Sequence, residues 1–108
     1  MAFKIAQKPT YKVKVKVETP NDNNGFDTSE FTAEFKRVGV AELEQLKDEP
    51  QVDVIKKVLV GFSDLLDDAN KPLDYNDINV QALLDIPQAL KAVIDGFWSS
   101  IFKAKEKN

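Results

Sequence analysis

Tyr11-Lys-Val-Lys-Val-Lys-Val17 alternates apolar and charged residues without a break. Tyr11, Val13, Val15 and Val17 fall on one side of an extended chain and Lys12, Lys14 and Lys16 on the other, as a half-buried strand requires. Phe31-Thr-Ala-Glu-Phe35 repeats the pattern, with Phe31, Ala33 and Phe35 on one face and Glu30, Thr32, Glu34 and Lys36 opposite. Lysines on the first strand and glutamates on the second suit one another as cross-strand neighbours. The connection Thr19–Asp27 includes Asn24-Gly25, a strong turn signal. The two runs therefore predict an antiparallel hairpin closed by a long, mobile loop.

A lone hairpin is marginal in water, so its apolar face needs a cover. The rest of the chain predicts helices to supply it. Val40 to Lys47 turns Leu43 and Leu46 inward and stops before Pro50. Gln51 to Val60 places Val52, Ile55, Val58 and Leu59 at helical spacing, with Gly61 as the helix end. Ser63 to Tyr75 reads as a connector with an acidic turn and a short extended piece at Leu73 and Tyr75. Asn76 is a natural N-cap for a helix over 77–85. Ile86-Pro87 breaks that helix and opens a last one to about Lys103, because proline suits the first helical turn. The expected architecture is α+β, a single domain over residues 1–108: an N-terminal hairpin part (1–37) packed against a bundle of about four short helices (38–108).

Composition narrows the chemistry. The 108 residues contain no cysteine and no histidine, which removes disulfides, thiol catalysis and the commonest general base and transition-metal ligand. Met1-Ala-Phe-Lys-Ile-Ala is interrupted too soon by Lys8-Pro9 to read as a secretory signal, and no apolar run approaches the roughly 20 residues of a membrane span. A cytoplasmic protein is expected. The net charge of −3 is unevenly spread: five lysines against Glu18 in residues 1–20, sixteen acids against seven bases in 21–102, and a basic tail Lys103-Ala-Lys-Glu-Lys107. The acidic middle would repel phosphate, which argues against nucleic acid as a partner.

Asp64, Asp67, Asp68, Asn70 and Asp74 are oxygen ligands close in sequence, yet they lack the alternate spacing, the glycine and the closing glutamate of a calcium loop. They read as a solvated turn, with no metal site. Asp53, Asp85 and Asp95 lie in mainly apolar stretches but can all face solvent, and the four glycines are too scattered for a phosphate loop. No catalytic residue and no cofactor is expected. The last helix stands apart, because Leu90, Ile94, Phe97 and Ile101 form its stripe while Phe97, Trp98, Ile101 and Phe102 crowd four large apolar groups into six residues. At about 100° per residue they span some half of the circumference. One side can cover the hairpin while the other meets a partner, so these four are the candidate partner-binding residues.

Val58-Leu-Val-Gly-Phe62, Asn70-Lys-Pro-Leu-Asp-Tyr-Asn76 and Leu83-Leu-Asp-Ile-Pro87 together resemble the tail assembly chaperones of long-tailed bacteriophages and prophages, from Phe31 to Ile101. Members of that family end an aliphatic helix in glycine plus an aromatic, usually tryptophan. An acidic turn with glycine follows, then a hydroxyl-capped helix and leucines before a proline or aromatic. Here Phe62 stands for the tryptophan, Asn70 for the turn glycine and Asn76 for the hydroxyl cap, each able to do the same physical job. The resemblance implies a non-enzymatic, self-associating protein in the bacterial host cytoplasm that holds the tape-measure protein and promotes tail-tube polymerisation around it. It also implies that an extended, frameshifted form could begin in the basic tail. A structural tail protein (tube or terminator subunit) or an acidic protein that binds a host factor are the alternatives.

Overall fold

The computed structural model describes residues 1–102. The chain runs β1 (Thr10–Pro20), β2 (Phe26–Lys36), α1 (Val40–Leu46), α2 (Gln51–Val58), β3 (Leu59–Ser63), α3 (Asp77–Leu84) and α4 (Pro87–Phe102). The fold is α+β: an antiparallel sheet in the order β1-β2-β3, with four helices. Lys103, given to the end of the last helix, and the basic tail lie outside the described residues.

β1 and β2 pair along their full length, from Thr10 opposite Lys36 to Pro20 opposite Phe26. The hairpin is longer than the two alternating runs, and the long loop is replaced by a tight connection over residues 21–25. Asn21 organises it: its side-chain oxygen accepts from the backbone N–H of Asn23 (2.9 Å) and Gly25 (3.1 Å), while its own N–H donates to the Gly25 carbonyl (3.0 Å). Asn24 takes φ 62°, a conformation asparagine tolerates. The extension left no periodicity because Phe26 to Glu30 are exposed on both faces.

The sheet has a third strand where a helix end was expected. α2 stops at Val58, and β3 follows with no residue between. Phe62 pairs with Ala33, Gly61 with Glu34 and Leu59 with Phe35, which leaves Val60 as the surplus residue of a bulge. Gly61 therefore ends no helix. It lies in the strand under the Glu34 side chain, whose Oε1 would be 3.1 Å from an added Cβ. Val58 and Leu59 are buried either way, so the apolar run alone could not separate the two readings. The gain is a ladder of hydrogen bonds for the inner edge of β2.

α4 lies across β1 in the opposite direction. Gln88 and Lys91 stand beside Lys16 and Glu18, Gly96 beside Val13 and Val15, and Ser100 beside Tyr11. Ala89, Val93 and Phe97 turn to the sheet and are buried with Val15, Phe31 and Phe35. α2 contributes Val54, Ile55 and Val58 to the same cluster, and α3 contributes Leu83 and Leu84. Full burial of each such large apolar side chain is worth about 1.5–3 kcal/mol.

The caps follow the residues. The Asn76 side chain accepts from the Asn79 N–H at 2.8 Å and opens α3, while Pro87 opens α4 and the Leu90 N–H reaches back to the Ile86 carbonyl at 2.9 Å.

Candidate functional site

The C-terminal end of α4 carries the four aromatic and aliphatic residues singled out above, and the fold treats each differently. Phe97 faces the sheet, fully buried, with its ring edge-on to Phe35 at 5.3 Å between centroids. It is a core residue and presents nothing to a partner, because the i, i+4, i+8 stripe Ala89-Val93-Phe97 is the one laid on β1. Ile101 is half-buried and packs on the same core. Trp98 is half-buried too. Its indole N–H donates to the Gln51 side-chain oxygen of α2 at 2.6 Å, and its ring meets Phe97 edge-on at 5.1 Å. Phe102 alone faces outward, 58% exposed, lying parallel to the Trp98 ring at 6.2 Å.

Cations border this end. The Lys47 ammonium stands 5.7 Å from the centre of the Phe102 ring, and the Arg37 guanidinium lies 4.9 Å over Tyr11. The Ser100 hydroxyl donates to the Phe97 carbonyl (2.6 Å) and so accepts from the Tyr11 hydroxyl (2.8 Å), which ties the helix end to the first strand. Between them opens a hollow of about 500 Å³ lined by Gln7, Tyr11, Arg37, Val38, Leu43, Ser100 and Ile101. Of these, the sequence pointed only to Ile101: Tyr11 reads as a strand residue and Leu43 as the inward face of a helix, while Gln7, Arg37, Val38 and Ser100 carry no signal of their own. Only the antiparallel crossing of α4 and β1 gathers them.

The acidic turn is built by its own side chains. The Asp67 carboxylate accepts from the N–H groups of Ala69 (2.8 Å) and Lys71 (2.9 Å), Asn70 takes the left-handed conformation (φ 62°), and Leu66 bridges to Pro72. Asp64 accepts from the Thr32 hydroxyl at 3.2 Å. These oxygens thus serve the turn and the sheet edge. Among the described residues no group of three or more His, Cys, Asp or Glu could hold a metal, and no helix is long and apolar enough to cross a membrane. Three side chains titrate above their ordinary values: Lys57 through its hydrogen bond to Glu49, Lys91 through its hydrogen bond to Asp95, and Tyr75 through burial and the nearby Asp77 charge. All three are structural contacts of the fold, since the Tyr75 hydroxyl donates to the Leu59 carbonyl at 2.6 Å.

A second apolar opening lies at the other end of α4. It is a groove of about 330 Å³ between the far end of the hairpin, the acidic turn and the α3–α4 junction. Leu66 and Ile86 stand in its wall and are exposed. The sequence reading gave Ile86 a helix-breaking role and Leu66 a place in the acidic turn, but neither a binding role.

The surfaces on offer are thus partly apolar and bordered by charge. Neither a curated protein nor a solved structure matches the sequence. The resemblance carried by residues Phe31 to Ile101 extends over the whole length given: the sequence profile of the phage tail assembly chaperones matches residues 1–108, and the chain belongs to that family.

Proposed function

We propose that this chain acts without catalysis in the bacterial cytoplasm, holding the long tape-measure protein in solution and bringing tail-tube subunits to it, with several copies associated along one client. The observation that carries this reading is the Phe102–Trp98 stack. An aromatic ring 58% exposed, yet held in one orientation by a parallel neighbour, loses little freedom on binding. Lys47 stands over the Phe102 ring and Arg37 lines the adjoining hollow, so the surface suits the apolar face of an amphipathic helix flanked by acidic residues. Ile101 and the adjoining hollow extend the contact, and Trp98 supports it from beneath. Phe97 has no direct part.

The test is binding of the purified chain to tape-measure fragments. Phe102→Glu is expected to weaken binding about tenfold or more while circular dichroism and the thermal midpoint stay at parental values. Undiminished binding by that variant would remove this surface from the function. The protein should also be absent from purified virions; its presence there would favour a structural tail subunit.

A further inference from the structure

The segment before β1 is apolar and uncovered. Phe3 is 83% exposed and Ile5 90%, in a stretch that joins no strand or helix and carries Lys4 and Lys8. Two large apolar side chains two residues apart are thus free for a contact outside the chain. At the opposite end of the molecule, Val17 and Phe31 floor the groove described above, and Leu65, Leu66, Leu83 and Ile86 wall it. Leu66 is 53% exposed and Ile86 45%. Both charged residues of its lining, Glu30 and Asp64, are acids. Glu30 meets Lys14 at 3.8 Å in an exposed pair, and Asp64 takes the Thr32 hydroxyl, so both carboxylates keep acceptor capacity.

We propose that this groove receives Phe3 and Ile5 of a second copy of the chain, so that copies join head to tail. The free segment bends at Ile5, with the Gln7 side-chain amide donating to the Lys4 carbonyl at 2.6 Å; straightened on docking, it turns Phe3 and Ile5 to one side and Lys4 to the other, and a lysine stem is long enough to lean back to an acidic rim. A space of about 330 Å³ is near the lower end of the roughly 300–1,000 Å³ of small-ligand pockets, which suits a pair of side chains better than a folded element. The segment cannot serve its own groove. From Pro9, Phe3 reaches at most about 20 Å, and Ile5 about 14 Å. Val17 lies about 26 Å away along β1.

Segment and groove therefore stand at opposite ends of β1, and the contact between copies is of the head-to-tail kind. Each docked copy leaves one free groove and one free segment, so assembly continues until a ring closes or a filament forms. This rests on the self-association proposed above and names its contact.

Two variants test it. One lacks residues 2–8; the other carries Leu66→Glu and Ile86→Glu. Sedimentation velocity at micromolar concentration should show the parent as larger than a monomer and each variant alone as a monomer. Mixed, the two variants should form a pair with one copy of each, because one retains the groove and the other the segment. That pair also shows that both variants fold. A parent that is monomeric, a truncated variant that assembles like the parent, or a mixture that fails to pair would each overturn the proposal. A monomeric parent would overturn self-association too, whereas an assembling truncation would overturn this contact alone. Binding of tape-measure fragments by the truncated chain reports separately on the α4 surface.

Discussion

Tyr75 shows how one residue serves the sheet and the connector together. Its hydroxyl donates to the Leu59 carbonyl at 2.6 Å and its ring meets Phe62 edge-on at 5.2 Å, so it fastens the segment before α3 onto β3. Burial, then the charge of Asp77, holds its phenol neutral beyond the ordinary value of 10.0. A raised value in the fold means that the unfolded chain gives up the proton first. The contribution is fully present below about pH 10 and is lost as pH rises through the folded value. Lys57 and Lys91, held protonated by Glu49 and Asp95, are also raised and act with the same sign, in the window above 10.5. Urea unfolding between neutral and strongly alkaline pH should show stability falling above about pH 10. Tyr75→Phe should make that fall shallower, after losing about 1 kcal/mol at neutral pH with the hydrogen bond. A variant as steep as the parent would show that Tyr75 takes no part in it.

At the scale of elements, α4 is the spine, and it tolerates a glycine in its interior. Gly96 lies over β1, where an added Cβ would be 3.5 Å from Val15 Cγ2 and 3.8 Å from Val13 Cγ1, both ordinary contacts. Nothing at that position requires glycine's freedom, and glycine in a helix interior is less favourable than alanine by about 0.5–1 kcal/mol. Gly96→Ala should therefore raise the urea midpoint by a corresponding amount. A loss of stability would mean that α4 and β1 pack more tightly than these distances allow. α3 shows the converse, a helix whose start was fully written in local residues. Asn76 caps it through the Asn79 N–H, and Asn79 in turn donates from its side-chain amide to the Asp74 carbonyl at 2.8 Å.

Across the whole molecule, the aromatic end of α4 divides between core and surface. Phe97→Ala should cost about 3–5 kcal/mol, because the cavity under Phe35 cannot close without moving α4 off β1. Phe102→Ala should stay within about 0.5 kcal/mol. Equal losses, measured by chemical unfolding, would contradict the division of labour described here and put Phe102 in the core.

The sequence alone determined the faces of β1 and β2, the cap at Asn76 and the start of α4 at Pro87. Each depends on a local property: a two-residue period, a side chain that reaches its own backbone, or a proline that suits the first helical turn. Local pattern also marked the apolar crowding at Phe97, Trp98, Ile101 and Phe102. Only the tertiary structure decided that Leu59 to Ser63 is a strand, because a five-residue run broken by a bulge at Val60 shows no clean two-residue period, and the free edge of β2 lies far away in sequence. It alone decided that Phe97 is inside and Phe102 outside, since a helical stripe tells which side is apolar but not how far the neighbouring sheet covers it. The hollow beside Ile101 and the groove beside Ile86 also belong to the tertiary structure, because each is walled by segments that meet only when α4 lies down across β1.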